Sequence, residues 1–495
     1  MNELLLEFYS EEMPAMNLGN SAKNFHDLLK SELIKKKITV KESQFFYAPT
    51  RLAFIFYGLK YQSNKKETLI RGPQVESATK AIEGFAKSNK VKVKDLIKQK
   101  TKKGEYYFFK ENKKELPFET ILAENLQTSL LKLSWKKSMR WGRQKSRWVR
   151  PLKNILCILN GKILRMKFYH LNANKHLFSR DKNILIKYEV DSIKSYFKVL
   201  KKLKIKIKQS ERRALILQKA KNICDKKKLK FLPDEFLLEE VSNLVEKPNI
   251  FLATFKKDYL KLPREVLITS MQKNQRYFPL YKNDGFLANT FLLVANLAPI
   301  DKGKMIVEGN ERVINARLSD AEFFWNKDLK NNFHDEKKKL EKLIFHNEIG
   351  NVSEKILRLK TLVTFLSNGL KSTEKKYLLE AADLCKNDLV SEIVREFPSL
   401  QGVMAKYYIL KSGQHIEVAN AVQSHYKPQG PTDDIPNTLL SRLLSIADKI
   451  DNLVGFFIID KYPTGSKDPF ALRRTALGVI RVLIEGEVSV DIAAL

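Results

Sequence analysis

Cysteine is nearly absent: Cys157, Cys224 and Cys385 are the three in 495 residues, far apart and with no C-x-x-C pair. That leaves neither a disulfide framework nor a zinc knuckle to read, and it points to reduced thiols and a cytoplasmic location. Long apolar runs are missing as well. None approaches the roughly 20 residues that a bilayer crossing needs, so no membrane partner is expected. The opening MNELLLEFYSEE is acidic and has neither a basic leader nor a small-residue cleavage site, so export is not expected. No internal repeat or low-complexity linker stands out, and the absence of G-x-S-x-G gives a serine nucleophile nothing to rest on. Acid is scarce relative to its opposite: 56 Asp+Glu stand against 90 Lys+Arg, a formal net charge of +34.

That surplus favours a polyanion, because cations that neutralise phosphates release condensed counterions. The plainer reading makes runs such as KKK at 35–37 and 226–228 solvated helix faces. An acidic membrane surface competes less well, since no basic amphipathic anchor is present. Hydrophobic residues at 43% with 29% charged describe a globular chain, and about 150 residues per domain suggests three domains.

Residues 1–165 read as an α/β domain. LLLEFYS is a strand, NSAKNFHDLLKSELIKKK a helix, FFYAPTRLAFIFYGL two strands, EYYFFK another, with helical stretches near 76–99 and 117–135. LKNILCILNGKILRMKFYH reads as two strands turning on Asn160-Gly161. Residues 166–330 read as a mixed central domain, with KLKIKIK a strand, Ser210 capping a helix, and a hairpin turning on Asn283-Asp284-Gly285. From 331 onward, amphipathic stretches at 333–346, 352–370, 374–396, 402–410, 415–426, 438–457 and 469–486 read as an all-helical domain. The fold class is therefore α+β and multidomain: mixed α/β N-terminal and central domains followed by a helical one.

The stretch 135–150 carries Lys136, Lys137, Arg140, Arg143, Lys145, Arg147 and Arg150 without one acid, interleaved with Trp135, Trp141 and Trp148. Arginine forks on phosphates beside flat aromatic faces suit RNA; alternatively the tryptophans are core anchors and only the cations are exposed. PTGSKDPFALRR at 463–474 resembles a phosphate loop, but G-x-x-x-x-G-K-[ST] is not met, because the order is Gly465-Ser466-Lys467 and position 460 is Asp. Asp468 and Pro469 instead read as N-cap and first residue of a helix. That helix carries Arg473, and places Arg474, Gly478 and Arg481 on one face, where the arginines grip phosphates or pair with neighbouring acids; Lys467 at the helix start is a further phosphate candidate.

His346, Asp388, His415, His425, Asp448 and Asp451 suggest a metal-dependent phosphohydrolase pattern. The His-Asp doublets at His26-Asp27 and His334-Asp335 lie outside the position such a site needs. Where a doublet belongs, the chain reads Lys386-Asn387-Asp388, and a lysine in place of an imidazole ligand opposes metal binding. Asp448 and Asp451 then read as helix-surface or structural acids.

LLLEFYSEEMP, APTRLA, RGP at 71–73, KSMRWG with VRP, LLEEVSNLVE, MQKNQRYFP, GNERVINARLSDAEFF, EFPSLQGVMAKYY, HYKP, IADKIDNLVGFF and PTGSKDPFALRR follow in order along the chain. Together they resemble the β subunit of the bacterial heterotetrameric glycyl-tRNA synthetase, over essentially the whole sequence. The chain departs from the family at KHLF (175–178) and at Lys247, where tryptophan is usual. The resemblance implies an α2β2 assembly in which a separate α subunit uses ATP and Mg to activate glycine and transfers it to tRNA(Gly), while the β subunit supplies most tRNA contacts. It implies no catalytic residue, metal or cofactor on this chain, and no HIGH or KMSKS sequence is found. It implies an HD-like helical domain with its metal ligands lost, the degenerate site lying at Lys386, Asp388 and Asp448. Arg140, Trp141, Arg143, Arg147, Arg150, Lys467, Arg473, Arg474 and Arg481 are the candidate tRNA contacts. Family members continue past the position of Leu495 into an anticodon-binding domain, which is expected to be absent here. The reading from another class is a metal-dependent HD-type phosphohydrolase, and a third is an RNA-binding protein with no synthetase partner.

Overall fold

A computed structural model describes residues 2–491 apart from 63–67, 102, 112–115, 136, 142–146, 182–183, 298, 332, 334, 336 and 466. Packing divides the chain into two compact units: Met1–Gln218 with Leu238–Asn249 and Ala295–Leu297, and Lys219–Leu237 with Ile250–Val294 and Ala298–Leu495.

In the first unit, LLLEFYS falls in β1 (Asn2–Ser10), followed by α1 (Leu18–Lys35), β2 (Glu42–Ala48) and β3 (Arg51–Tyr61). Helix α2 (Phe118–Lys132), the short pair β4 (Met139–Arg140) and β5 (Arg147–Trp148), β6 (Leu152–Leu159), helix α3 (Ile193–Lys202) and the first half of helix α4 (Gln209–Lys227) come next. An antiparallel six-stranded sheet runs Lys162–Ile163, β6, β1, β3 and Ile38–Thr39, with β2 also paired to β3. Strand β1 reads as a continuous apolar run because both of its faces are covered. Leu4, Leu6 and Phe8 pack with Phe25 of α1 and Leu122 of α2, while Leu5 packs with Ile55, Tyr196 and Leu200. The Asn160-Gly161 turn is present as read, both residues having positive φ (50° and 81°).

Three of the quoted motifs meet in this unit. Glu7 of LLLEFYS, Arg51 of APTRLA and Glu246 of LLEEVSNLVE form a buried ion cluster, with Arg51 Nη1 3.3 Å from Glu7 Oε2 and Arg51 Nε 3.1 Å from Glu246 Oε2. Arg51 also donates to Phe178 O at 3.1 Å, and Tyr196 donates to Glu7 Oε2 at 2.6 Å. Burial raises the Glu7 carboxyl despite its neighbouring guanidinium.

KLKIKIK is not a strand. Its lysines do alternate outward and Ile205 and Ile207 inward, but its carbonyls are taken by a side chain. Buried Arg212 donates from Nη1 to Lys206 O (2.9 Å), Ile207 O (2.8 Å) and Tyr47 O (3.0 Å), and from Nε to Ser242 O (2.7 Å). The 76–99 stretch is helical only at Thr79–Ser88 and in a short turn at Val93–Asp95.

The second unit has a four-stranded sheet in the order Lys230–Phe231, Phe278–Tyr281, Leu287–Ala295, Asn249–Thr254. Helices α5 (Lys304–Lys330), α6 (Val352–Leu366), α7 (Ser372–Leu384), α8 (Val403–Lys411), α9 (Ile416–Ser424), α10 (Leu439–Ile458) and α11 (Leu472–Glu485) follow. One apolar core joins Phe291 of the sheet and Ile314 and Leu318 of α5 to Leu359, Val422 and Leu444. For this reason the sequence boundary at 330/331 falls inside the unit. The boundary at 165/166 likewise falls inside the first, where Val190, Tyr196 and Leu200 pack against β1 and β3. Two helical expectations are corrected. Residues 333–346 hold a short helix, Lys337–Leu340, and a strand, Ile344–His346, paired with Gly350–Asn351. The Asn351 side chain caps α6 at Glu354 N (2.9 Å), so the helix starts at Val352 and does not run on from the preceding stretch. Residues 374–396 break after α7, where Lys386, Asn387 and Asp388 turn inward and are buried.

Candidate nucleic-acid interface and buried ion cluster

Strands β4 and β5 set Met139 opposite Trp148 and Arg140 opposite Arg147. Alternate side chains point to opposite faces. Trp148 turns inward, 1% exposed, and its ring lies 5.4 Å from Phe8, 6.0 Å from Phe25, 5.7 Å from Phe168 and 5.3 Å from Trp135. Its neighbour Arg147 and the facing Arg140 are exposed. Among the described residues no carboxylate pairs with either arginine. Like charges directly opposite on a strand pair are destabilising, by up to about 1 kcal/mol, and an anion between them reverses the sign. Trp141 is half-buried, edge-on to His170 at 6.4 Å. Arg150 is exposed and donates to Val149 O at 3.1 Å. Arg143, Lys136 and Lys145 lie outside the described residues.

At 463–474 the chain makes a turn in which Thr464 and Lys467 exchange backbone hydrogen bonds. Lys467 is exposed. The helix begins at Leu472 rather than at Pro469, after Ala471 at φ 55°. Asp468 still serves its opening N–H groups, accepting from Leu472 N (2.8 Å) and Arg473 N (3.1 Å). Arg473 donates to Thr464 O at 2.6 Å and is exposed, as is Arg474. Arg481 is committed elsewhere: it pairs with Glu485 at 2.7 Å and donates to Gly430 O (3.2 Å) and Asp433 O (2.9 Å). Gly478 is not an opening for a phosphate, since a Cβ there would meet Lys449 Cε at 2.9 Å. The expected Arg474-Gly478-Arg481 grip is thus reduced to Arg473 and Arg474.

Lys386, Asp388 and Asp448 are all buried, in a cluster that a lysine organises. Lys386 Nζ lies 3.0 Å from Asp448 Oδ1 and 2.8 Å from His425 Nε2, and 3.9 Å from the centre of the Tyr426 ring. Lys355 adds a second ammonium, 3.2 Å from Asp448 and 2.7 Å from Asp451, whose carboxylate also takes Arg358 at 2.5 Å. Burial alone would raise the Asp448 carboxyl, but the ammoniums of Lys355 and Lys386 outweigh it and hold it well below its ordinary range. Burial, then Lys386, keeps His425 neutral far below its usual pKa. Among the described residues Asp388 forms no ion pair: its Oδ2 accepts from Gly402 N (2.6 Å) and Ala405 N (3.2 Å) at the start of α8, and burial still pushes it up to about 6. Asp448 and Asp451 are therefore structural rather than surface acids.

His415 caps α9 and stacks on Tyr377 at 4.3 Å, and His346 packs on Phe456 and Phe470. His334 lies outside the described residues, and His26 bonds to Asp27 and Ser43 in the first unit. Among the described residues no three His, Cys, Asp or Glu side chains come together to hold a metal ion. The Lys386 ammonium between Asp448 and His425 opposes one directly. Sequence reasoning passed over Lys355. Its signal was its place at the i+3 position of an apolar face, between Val352 and Ile356, where the helix buries its side chain.

Against known proteins, the glycyl-tRNA synthetase beta subunit family matches residues 4–495. The chain is 38% identical over 492 residues to the glycine–tRNA ligase beta subunit of Rickettsia canadensis (strain McKiel), covering 99% of this chain and 73% of that one. To the same subunit of Rickettsia felis it is 37% identical over 494 residues, again 99% and 73%. To that of Rickettsia bellii it is 36% identical over 495 residues, 100% and 74%.

Proposed function

The chain belongs to the glycyl-tRNA synthetase beta subunit family, a subunit of glycine–tRNA ligase, and on that premise we propose that it grips the phosphate backbone of tRNA(Gly) while a separate α subunit makes the bonds. The observation that carries this is the facing pair Arg140 and Arg147, exposed, without an acid, on a hairpin pinned by buried Trp148. Arginine forks suit phosphate oxygens, and the half-buried Trp141 beside them offers an indole for an unstacked base. Arg150, Arg473, Arg474 and Lys467 extend the candidate set; Arg143 belongs to it by its place in the same segment. The net charge of +34 adds long-range attraction for RNA.

ATP and Mg serve the α subunit in this reading, the assembly is α2β2, and the site of action is the cytoplasm. A metal-dependent phosphohydrolase is not supported, because a lysine ammonium sits between the side chains that such a metal would join.

The test is aminoacylation with glycine, tRNA(Gly) and the α subunit, with and without this chain. Charging is expected only with both. In filter binding, Arg140→Ala with Arg147→Ala should lower the slope of log K against log salt by about 1.8, from about 0.9 per phosphate contact. Charging by the isolated chain would overturn the division of labour, and an unchanged slope would remove the hairpin from the interface.

A further inference from the structure

The segment between α3 and α4 builds a second basic feature, on the other face of the first unit's sheet. Trp148 of the hairpin packs with Leu4, Leu6 and Phe8, whereas Phe46, Leu200, Ile205 and Ile207 pack with Leu5 and Ile55. On that second face Phe46 and Phe197, together with Lys201, Lys204, Lys206 and Lys208, line a cavity of about 520 Å³. That is the size of a small-ligand pocket, about 300–1,000 Å³.

The floor is aromatic and the rim cationic. Phe46 and Phe197 meet edge to face, their rings 5.7 Å apart at 85°. Phe46 is buried by its strand, and half-buried Phe197 keeps ring surface toward the cavity. Lys206 and Lys208 share one carboxylate, Glu211, at 3.9 and 3.8 Å. Among the described residues no carboxylate pairs with Lys201 or Lys204. The lysines are held in place rather than scattered: Ile205 and Ile207 anchor the segment in the core, and Arg212 ties down its carbonyls. Four ammonium groups around one carboxylate make the rim attractive to an anion, and an aromatic floor favours one that carries a flat ring.

We propose that this cavity binds a nucleotide, its base against Phe197 and its phosphate among Lys201, Lys204, Lys206 and Lys208. A free mononucleotide and an unstacked residue of an RNA strand share that chemistry. The site does not depend on the hairpin reading.

Fluorescence titration of the full chain with N-methylanthraniloyl-AMP and with fluorescein-labelled hexauridylate separates the two sources. Lys201→Gln with Lys204→Asn neutralises the unpaired ammoniums, and asparagine tolerates the positive φ of 57° at position 204. Phe197→Leu removes the stacking ring. Both variants should bind at least one probe about tenfold more weakly. Weakening toward methylanthraniloyl-AMP identifies a free nucleotide, and toward the hexamer alone a strand residue. The proposal is overturned if neither probe saturates on the parent chain, if the lysine variant binds both as tightly as the parent, or if a folded Phe197→Leu chain does. Should Phe197→Leu not fold, the exposed lysine pair decides.

Discussion

Replacing Lys386 with methionine asks how much its buried ammonium stabilises the cluster around Asp448. The side chain is 3% exposed, and its Nζ lies 3.0 Å from Asp448. At an effective dielectric constant of about 20, that pair attracts by about 5 kcal/mol. Methionine keeps the stem, so little cavity opens, and an ammonium no longer has to be stripped of water, which returns several kcal/mol. Asp448 also keeps Lys355 at 3.2 Å. Breaking a buried pair outright costs about 3–5 kcal/mol; with one cation remaining, the loss should be about 2–3 kcal/mol. The readout must be local, because two units need not unfold together. Of the four tryptophans, Trp325 lies in the second unit, stacked at 5.4 Å on Tyr408. The fluorine resonance of 5-fluorotryptophan at that position, followed through urea, reports this core. Asp448→Asn and the double variant complete a cycle whose coupling should reach about 2 kcal/mol. A Lys386→Met chain within about 0.5 kcal/mol of the parent, with no coupling, would refute the account.

Arg51→Met leaves Glu7 and Glu246 buried without their cation and should cost about 3–5 kcal/mol. Because protonation relieves a stranded carboxylate, the deficit measured by urea unfolding should be smaller at pH 5 than at pH 8. Neutral His425 is depressed in the folded chain, so its stabilising contribution is complete above the unfolded value of about 6.5 and is lost as pH falls below it. His425→Gln should flatten the stability curve below pH 6.5 by up to about 1.4 kcal/mol per pH unit relative to the parent. Gly478→Val drives a side chain into Lys449, whose Nζ is held at 2.8 Å by Lys427 O and at 2.9 Å by Ser445 Oγ. It should cost about 1–3 kcal/mol and lower the melting temperature seen by the same Trp325 signal.

Periodicity made the strands at LLLEFYS and APTRLA legible, and most of the helices after 350, where glycine and proline mark the ends. It misled at KLKIKIK, because alternation reports which side chains are buried and not who takes the carbonyls; a buried arginine takes them here. The 27 residues of α5 went unread: its apolar side chains are spread around the helix, and only Ile314, Leu318, Ala321 and Trp325 among them are buried, on one face. Exposure of Arg140 and Arg147 was legible in an acid-free stretch. The pairing of Arg481 was legible too, since Glu485 stands four residues on. What no local pattern carries is the meeting of Glu7 with Arg51 and Glu246, or of Lys355 with Asp451, partners that lie 96 residues apart. Such contacts are made by topology.

The triad around Arg51 also sets an order of events during synthesis. Its last member arrives more than two hundred residues after its first, and the Ser242 carbonyl that receives Arg212 is equally late. A nascent chain released at residue 218 would hold Arg51 and Arg212 without their acceptors from 238–249, so the amino-terminal body is not a modular fragment that can be clipped at its contiguous edge. Its closure waits for a segment translated after the polypeptide has already begun its second body.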